Sequence, residues 1–227
     1  MASSPIPAEN PQQNLRDRKR QLYREAILDA AERVFGDDGY EATKVQRIAS
    51  EAGVSLTTLY SVFESKWEIY RAVHRRRLAE VMGLVQEVVR NDMPVLEQLI
   101  AGTRTQLRFF MERRDFTRMQ LKEVTAWSTV ELLRSPEQIE ALGAGLALFA
   151  DLFRRGIEEG VFVDEDPELM ARMAIATQQV RLALWMNRAA EEPMDQVADA
   201  AIRHLLRSYC RPEHLGSALE VARVSEA

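Results

Sequence analysis

The chain has 227 residues, 46% hydrophobic and 29% charged, which is enough to bury one sizeable core or two modest ones. Its longest apolar run, residues 141–150, contains two glycines and is shorter than the roughly 20 residues of a membrane span. The single cysteine, Cys210, excludes an internal disulfide framework and a multi-cysteine metal site. No secretory signal is recognisable, so we expect a cytoplasmic protein that contacts no membrane.

The net charge of −5 does not by itself favour a nucleic-acid partner. Residues 1–70 hold 9 Lys and Arg against 11 Asp and Glu, so this region is not basic in total. Its basic side chains are nevertheless clustered at Arg16, Arg18, Lys19, Arg20 and Arg24. Local charge placed against a phosphate backbone decides affinity, but a solvated face of a first helix would give the same cluster.

Apolar residues recur every three or four positions and strand-like alternation is nearly absent, which predicts an all-α protein of about nine helices. Residues 1–14 are rich in Pro, Ser, Asn and Gln and are predicted to be a disordered arm. A first helix is expected over 16–35, with an apolar stripe that begins at Leu22. Gly39 then breaks the chain.

Two short helices follow, over 43–52 and 56–62, with Gly53 suited to the tight turn between them. Thr43 with Gln46 fits a capping box for the first of these helices. Ser55 is expected to cap the second. This helix–turn–helix pattern alone is a weak signal, because a plain helical hairpin also shows it.

Ser65 with Glu68 forms a second capping box, which opens a long helix to about residue 91. Proline and cap signals then predict five further helices, over 94–112, 116–133, 135–160, 166–190 and 193–209. We therefore expect a helix–turn–helix domain at 15–64, a second helical domain at 65–212 and a C-terminal tail at 213–227.

The chain resembles the TetR family of bacterial regulators over about 50 residues, in three stretches: Gly39-Tyr40-Glu41-Ala42-Thr43, Ile48-Ala49-x-x-Ala52-Gly53-Val54-Ser55 and Thr58-Leu59-Tyr60-x-x-Phe63-x-Ser65-Lys66. The resemblance implies an N-terminal three-helix DNA-binding domain and a C-terminal domain for ligand binding and dimerisation. It implies double-stranded operator DNA, a small-molecule effector and a second copy of the chain as partners. No cofactor, metal site or enzymatic activity is expected.

The resemblance also assigns roles to individual residues. Thr43 matches a phosphate-contacting threonine, Tyr60 a tyrosine that hydrogen-bonds a phosphate, and Lys66 a lysine that meets the DNA backbone. The start of the recognition helix, which faces base edges in the major groove, is expected at Ser55, Leu56, Thr57 and Thr58. Lys44 and the basic cluster Arg16, Arg18, Lys19 and Arg20 complete the predicted DNA contacts.

The predicted recognition helix departs from the family's usual residues. Leu56 stands where a basic residue is frequent, Thr57 where glycine is frequent, and Ser61 and Val62 where aromatic residues or histidine are frequent. Direct contacts to bases would therefore be fewer and less charged. We expect a larger share of specificity to come from phosphate contacts and DNA shape.

The eighth and ninth predicted helices are implied to pair with their copies in a dimer. Their sequences fit this role through two stripes: Met173, Ala176, Val180 and Leu184, and then Val197, Ala201, Leu205 and Ser208. The effector pocket is expected among the fourth to eighth helices, with aromatic surface from Phe110, Trp127, Phe149 and Trp185 and polar groups from Gln120, Glu123, Gln178 and Arg181.

For each of these aromatic residues ordinary core packing is the favoured interpretation, whereas for the polar ones exposure or dimer ion pairs are equally open. Glu123 and Trp127, one turn apart, are the preferred pair. Glu123 suits a cationic ligand and Arg181 an acidic one, so the sequence does not choose between them. Because aromatic residues dominate, we expect a mostly apolar organic effector.

The sequence thus predicts a ligand-responsive transcriptional repressor that binds a pseudo-palindromic operator as a dimer. Its three histidines show no metal-ligand spacing, and the sequence has neither a phosphate-binding loop nor a nucleophile elbow. Two alternatives stay open: a helical protein-interaction module that does not bind DNA, and a transcriptional activator.

Overall fold

A computed structural model describes residues 11–122 and 136–224, and within these ranges the fold is all-α, as predicted. Ten helices are described instead of about nine: α1 (Pro11–Asp38), α2 (Val45–Glu51), α3 (Leu56–Val62), α4 (Lys66–Val88), α5 (Val95–Glu112), α6 (Arg114–Lys122), α7 (Pro136–Glu158), α8 (Pro167–Asn187), α9 (Met194–Tyr209) and α10 (Pro212–Val224). In the described ranges none of these helices is long and apolar enough to cross a membrane.

The chain divides into an N-terminal unit that ends at Val73 and a C-terminal unit that begins at His74. The sequence placed this boundary nine residues earlier, between residues 64 and 65. The difference arises because the first two turns of α4 supply Ile69, Tyr70 and Val73 to the buried interior. A capped helix start marks where a helix begins, and the unit boundary falls inside that helix.

The N-terminal unit is held together by the apolar face of α1. Its buried side chains recur at helical spacing, as Ile27, Ala30, Ala31, Val34 and Phe35. An aromatic cluster joins α1 to α4, since the ring of Tyr70 lies 5.4 Å from Phe35 and 5.0 Å from Tyr40. Leu22, predicted to begin the buried stripe, is exposed, so the interior starts about one turn later.

The helix starts were predicted with mixed success. Ser55 caps α3 by accepting a hydrogen bond from the Thr58 backbone N–H at 3.0 Å, as expected. The capping box at Thr43 is wrong. The N-cap of α2 is Lys44, whose ammonium has no acceptor and makes no side-chain cap. The Thr43 hydroxyl instead donates backwards to the Gly39 carbonyl at 2.6 Å.

At the start of α4, Ser65 accepts from the Glu68 N–H at 3.1 Å, as the second capping box requires. The Glu68 carboxylate accepts from the N–H of Glu64 at 2.6 Å, one residue before the expected one. Gly39 and Gly53 adopt φ of +79° and +65°. Such angles are costly for residues with a Cβ, so both glycines are needed where they stand.

The C-terminal unit contains two apolar clusters along α5 and α8. The first cluster includes Val95, Leu99 and Ile100 of α5 with Met170, Ala171 and Ala174 of α8, together with residues of α7, α9 and α10. The second cluster contains Leu107 and Met111 of α5, Leu182 and Trp185 of α8, and Val197, Ala198 and Ala201 of α9. Because both helices pass from the first cluster to the second in chain order, they run parallel.

The two predicted dimer stripes differ in exposure. On α8, Met173, Val180 and Leu184 are exposed, as an interface helix in an isolated chain would be. On α9 the prediction is wrong, because Val197, Ala201 and Leu205 are buried in the two clusters of their own unit.

Both predicted ends of the chain need correction. Residues 11–14 belong to α1, not to a disordered arm, while residues 1–10 lie outside the described residues. The predicted tail forms most of α10, which buries Ala218 and Ala222 in the first cluster. An apolar residue every fourth position is enough to dock so short a helix.

Candidate DNA-binding and effector sites

The outward face of α3 is a compact uncharged surface. Leu56, Thr57 and Tyr60 are exposed, the last by half, whereas Leu59 and Val62 are buried against the rest of the N-terminal unit. Residues three and four apart share one face of a helix, so the exposed side chains form one patch. Apolar groups, a hydroxyl and a phenol are therefore what α3 presents to a partner.

The hydroxyls at the start of α3 have different roles. Ser55 Oγ lies 2.9 Å from Thr58 Oγ1 as well as accepting from the Thr58 N–H, so both side chains serve the first turn of the helix. Ser61 donates to the Thr58 carbonyl at 2.7 Å. Thr57 is exposed and takes no part in this arrangement. Of the two predicted base-contacting threonines, Thr57 is thus the better placed.

Lys66 fastens the segment between α1 and α2. Its ammonium donates to the backbone carbonyls of Tyr40 at 2.7 Å, Thr43 at 3.1 Å and Glu41 at 3.3 Å. It also lies 4.4 Å from the centre of the Tyr40 ring. An ammonium has three N–H donors, and three carbonyls accept from this one. The phosphate contact that the resemblance implies for Lys66 would have to compete with these bonds.

The exposed positive charge of the N-terminal unit lies mainly on the first turns of α1 and at Lys44. Arg16, Arg18, Lys19, Arg20 and Lys44 are all exposed. Arg47 is bonded to Asp38 and lies 3.4 Å from Asp37, which compensates its charge. The buried Thr43 offers little surface to any partner.

In the C-terminal unit, two buried polar residues, here called the polar layer, separate the apolar residues that α5 and α8 supply to the first cluster from those that they supply to the second. Thr103 of α5 is 0% exposed and Gln178 of α8 is 3% exposed, and each occupies the position between residues of the first and second clusters. Thr103 Oγ1 and Gln178 Nε2 have no hydrogen-bond partner. A buried polar group without a partner costs about 1–3 kcal/mol, so this layer is incomplete.

The other predicted effector residues are dispersed. Phe110 and Trp185 belong to the second cluster, and the ring of Phe110 stacks 6.0 Å from Phe116. Phe149 packs on the first cluster and Gln120 is half-buried on α6. Glu123 and Trp127, the preferred pair, lie outside the described residues.

A cleft of about 230 Å³ opens beside Trp185, at the end of α8 and the start of α9. Arg181 and Arg188 line it, and the Arg114 guanidinium lies 5.1 Å from the centre of the Trp185 ring. The Trp185 indole donates to the Glu192 carbonyl at 2.8 Å, which fixes the ring. We refer to this cleft with Arg114 as the arginine cleft.

Sequence reasoning missed Thr103, Arg114 and Arg188. Thr103 had a recognisable signal, since it interrupts an apolar stripe that runs along α5 from Val95 to Met111. The two arginines had none, because arginine is common on exposed helix faces. Their position beside Trp185 follows from packing between helices.

Two groups with shifted pKa values lie in the part of α4 that belongs to the C-terminal unit. Burial lowers the pKa of His74 to about 4, and its ring packs edge-on against Phe116 at 5.6 Å. Burial raises the pKa of Glu80, but hydrogen bonds from Arg77 and Arg113 outweigh this and keep the pKa below its ordinary value. At neutral pH this region therefore holds a neutral imidazole and an ionised carboxylate.

Comparison with known proteins gave matches along both units. The family described as bacterial regulatory proteins, tetR family, matches residues 27–73, and the tetracyclin repressor-like C-terminal domain matches residues 92–209. The structure of the regulator FadR from Bacillus subtilis in complex with stearoyl-CoA has a TM-score of 0.70 and 20% identity, covering 80% of this chain and 96% of that one. This likeness concerns the fold.

Two curated relatives match over shorter stretches. The transcriptional activator FasR of Mycolicibacterium smegmatis is 38% identical over 76 residues, 34% of this chain. The fatty acid metabolism regulator protein of Bacillus subtilis is 30% identical over 81 residues, 36% of this chain. The matches cover 35% and 41% of the length of these two relatives.

Proposed function

We propose, from the premise that the chain belongs to the TetR family of bacterial regulatory proteins, that it is a ligand-responsive repressor. It binds a pseudo-palindromic operator as a dimer and leaves the operator when a small, mostly apolar molecule binds the C-terminal unit. The observation that carries this proposal is the outward face of α3, where Leu56, Thr57 and Tyr60 form an exposed patch on a capped helix.

The patch on α3 has the chemistry for reading a major groove. Leu56 and the methyl of Thr57 suit a thymine methyl group, and the Thr57 hydroxyl suits either a donor or an acceptor on a base edge. Tyr60, one turn further, is placed for a phosphate. Lys44 and the arginines of α1 add positive charge for the DNA backbone. Bases would thus be read by uncharged groups, and phosphates would be met by Tyr60 and by charged side chains.

The exposed apolar stripe of α8 supports dimerisation. Met173, Val180 and Leu184 are exposed by 51%, 61% and 48%, and they recur along one face of the helix. Exposed apolar surface of this kind is typical of a protein interface. A two-fold dimer places two recognition helices on half-sites about 34–36 Å apart, so the operator would be a pseudo-palindrome.

The incomplete polar layer supports a ligand in the C-terminal unit. A molecule that lies between α5 and α8 would give Thr103 Oγ1 and Gln178 Nε2 the partners that they lack. Helix α4 contains residues of both units, so a shift of this helix would couple effector binding to DNA binding. To move the equilibrium from 99:1 to 1:99 takes about 5.5 kcal/mol of differential affinity.

The proposal is tested first by selecting bound duplexes from a random DNA pool with the purified chain. We expect an enriched pseudo-palindrome. Thr57→Ala should relax the preference at one or two positions in each half-site, whereas Ser217→Ala, a hydroxyl on α10, should leave it unchanged. If the folded protein enriches no sequence, the interpretation as a helical protein-interaction module takes first place.

The dimer is tested by sedimentation equilibrium. Val180→Glu places a charge in the exposed stripe of α8 and should give monomers. Val88→Glu makes the same change at an exposed valine of α4 and should leave the dimer intact. Equal association of both variants would contradict an interface on α8.

A transcriptional activator is the second candidate, because the relative FasR is described as one. Operator position decides the sign of regulation. A reporter gene placed behind the selected operator distinguishes the two: loss of the chain should raise expression for a repressor and lower it for an activator.

A further inference from the structure

The arginine cleft brings three positively charged side chains close to Trp185. Arg114 lies on α6, Arg181 on α8, and Arg188 directly after α8 as its C-cap residue. In the described part of the chain none of the three forms an ion pair with a carboxylate. Arg104 and Arg108 of the same unit contrast with them, since each is bonded to an aspartate of α9.

One of these guanidinium groups is partly buried without a partner. Arg181 Nε is inaccessible to solvent and makes no hydrogen bond. An arginine can direct several N–H donors at one planar anion, and such charge-assisted bonds are stronger than neutral ones. A carboxylate or a phosphate in the cleft would therefore remove the cost of leaving this donor unsatisfied.

Two glutamates also line the cleft, and their negative charge opposes that of the arginines. Glu191 and Glu192 are both exposed, and the partner that Glu192 provides to Trp185 is its backbone carbonyl. Among the charged residues at the cleft only Arg181 is partly buried, and a charge held away from water contributes more to a local field than a solvated one. The lining itself has two arginines and two glutamates, and Arg114 beside Trp185 gives the site one positive charge in excess. Together with the partly buried Arg181, this favours an anion.

The cleft continues a stripe of α8 that leads into the interior. Gln178, Arg181 and Trp185 follow one another at spacings of three and four residues, so they share one face of α8. Arg188 comes three residues later, as the C-cap of the helix. This face begins in the polar layer and ends at the cleft. A molecule with a charged group at the cleft and an apolar body against the second cluster would follow the stripe.

We propose that the effector is an amphiphilic organic anion, whose carboxylate or phosphate is bound by Arg181 and Arg188 with Arg114 stacked on Trp185. This inference rests on the proposed function, because it names the chemical class of the effector. The sequence left an acidic and a cationic ligand open, and this inference favours the acidic one.

The experiment compares four probes that carry the same alkyl chain: dodecanoate, dodecyl phosphate, dodecanol and dodecyltrimethylammonium. Binding to the DNA-free dimer is measured by titration calorimetry, and release of the selected operator is measured separately. We expect at least one of the two anions to bind about tenfold more tightly than dodecanol, and the cation to bind more weakly than dodecanol. The stronger anion identifies the headgroup as carboxylate or phosphate.

Arg181→Met and Arg188→Met keep the apolar stem of the side chain and remove the charge. Each should weaken binding of the preferred anion about tenfold and leave dodecanol unaffected. Arg172→Met is the matched control, since Arg172 lies on the same helix and pairs with Glu168 outside the cleft. The two arginine variants should retain operator binding.

Equal binding of all four probes, or the tightest binding by the cation, would overturn the inference. So would anion binding that is insensitive to Arg181→Met and Arg188→Met. The proposed function would fail in a different way. Either no operator would be enriched from the DNA pool, or an anion would bind through the two arginines and the operator would remain bound.

Discussion

Several polar side chains of the N-terminal unit have hydrogen-bond partners within their unit, whereas two buried ones of the C-terminal unit have polar atoms without partners. In the N-terminal unit, Thr43, Ser55 and Lys66 all bond to backbone groups of their own unit. In the C-terminal unit, Thr103 and Gln178 are buried with polar atoms that lack partners. These three side chains of the first unit are engaged within it, whereas Thr103 and Gln178 leave polar atoms in the interior of the second unit for another group to satisfy.

The largest effect is expected when the side chain of Lys66 is replaced. Lys66→Met should lower the free energy of unfolding by about 2 kcal/mol, because three carbonyls lose a charged donor. Urea unfolding measures this change. DNA affinity should fall for all sequences, as a consequence of the loosened segment between α1 and α2.

Lys44→Met is the matched control, since Lys44 is exposed and makes no side-chain cap. It should weaken DNA binding with little change in stability. If Lys66→Met weakened DNA binding but left stability unchanged, Lys66 would be a phosphate ligand and the N-terminal unit would not be complete without DNA.

A second test uses pH. The pKa of His74 is about 4 in the folded chain, below the ordinary value near 6.5, so the unfolded chain binds the proton more readily. This contribution to stability is complete above pH 6.5 and is lost as the pH falls towards 4. The free energy of unfolding should drop by about 1 to 2 kcal/mol between pH 7 and pH 5.

His74→Gln should remove this part of the pH dependence, and denaturant unfolding at several pH values checks it. The exposed His204 provides the control, because His204→Gln should retain the wild-type slope. A slope that survives in His74→Gln would assign the pH dependence to other groups.

A third test compares two buried glutamines. Gln178→Leu should be neutral or should stabilise the ligand-free chain by up to about 1 kcal/mol, because it removes an unsatisfied amide. Gln98→Leu should destabilise by about 1–3 kcal/mol, since the Gln98 side chain donates to the Met93 carbonyl and accepts from Arg155. Thermal unfolding of both variants measures the difference. A destabilising Gln178→Leu would show that the layer is already complete.

The smallest expected effect concerns the DNA surface. Tyr60→Phe removes a half-exposed phenol and should weaken binding about fivefold, or about 1 kcal/mol, for specific and random DNA alike. Fluorescence anisotropy with both duplexes measures this. A loss restricted to the operator would make Tyr60 a base-reading residue instead of a phosphate ligand.

The features that the sequence predicted correctly depend on neighbouring residues. The cap at Ser55, the cap at Ser65 and the positive φ at Gly53 all arise within one or two turns of chain. The role of Lys66 depends on Tyr40, which is 26 residues away. No local pattern reports such a contact.

For the candidate sites, too, the sequence predicted individual residues but not the contacts between distant parts of the chain. Apolar stripes identified α8 and α9 as packed helices, but a stripe does not say whether it meets its own chain or a copy. Trp185 and Gln178 were named because they are unusual residues in their helix. The arginine cleft was not predicted as a site, because it forms where α6, α8 and α9 meet.

The absence of charge on α3 has a consequence for how occupancy responds to ionic strength. Leu56–Val62 contains no charged residue, so contacts between α3 and the bases would displace no counterions. Lys44 and the arginines of α1 would set the whole ionic dependence, and they act on any duplex. Rising ionic strength would then weaken specific and non-specific complexes in parallel. A cell whose ion content fluctuates would change how many sites are filled while the ranking of its operators stays the same.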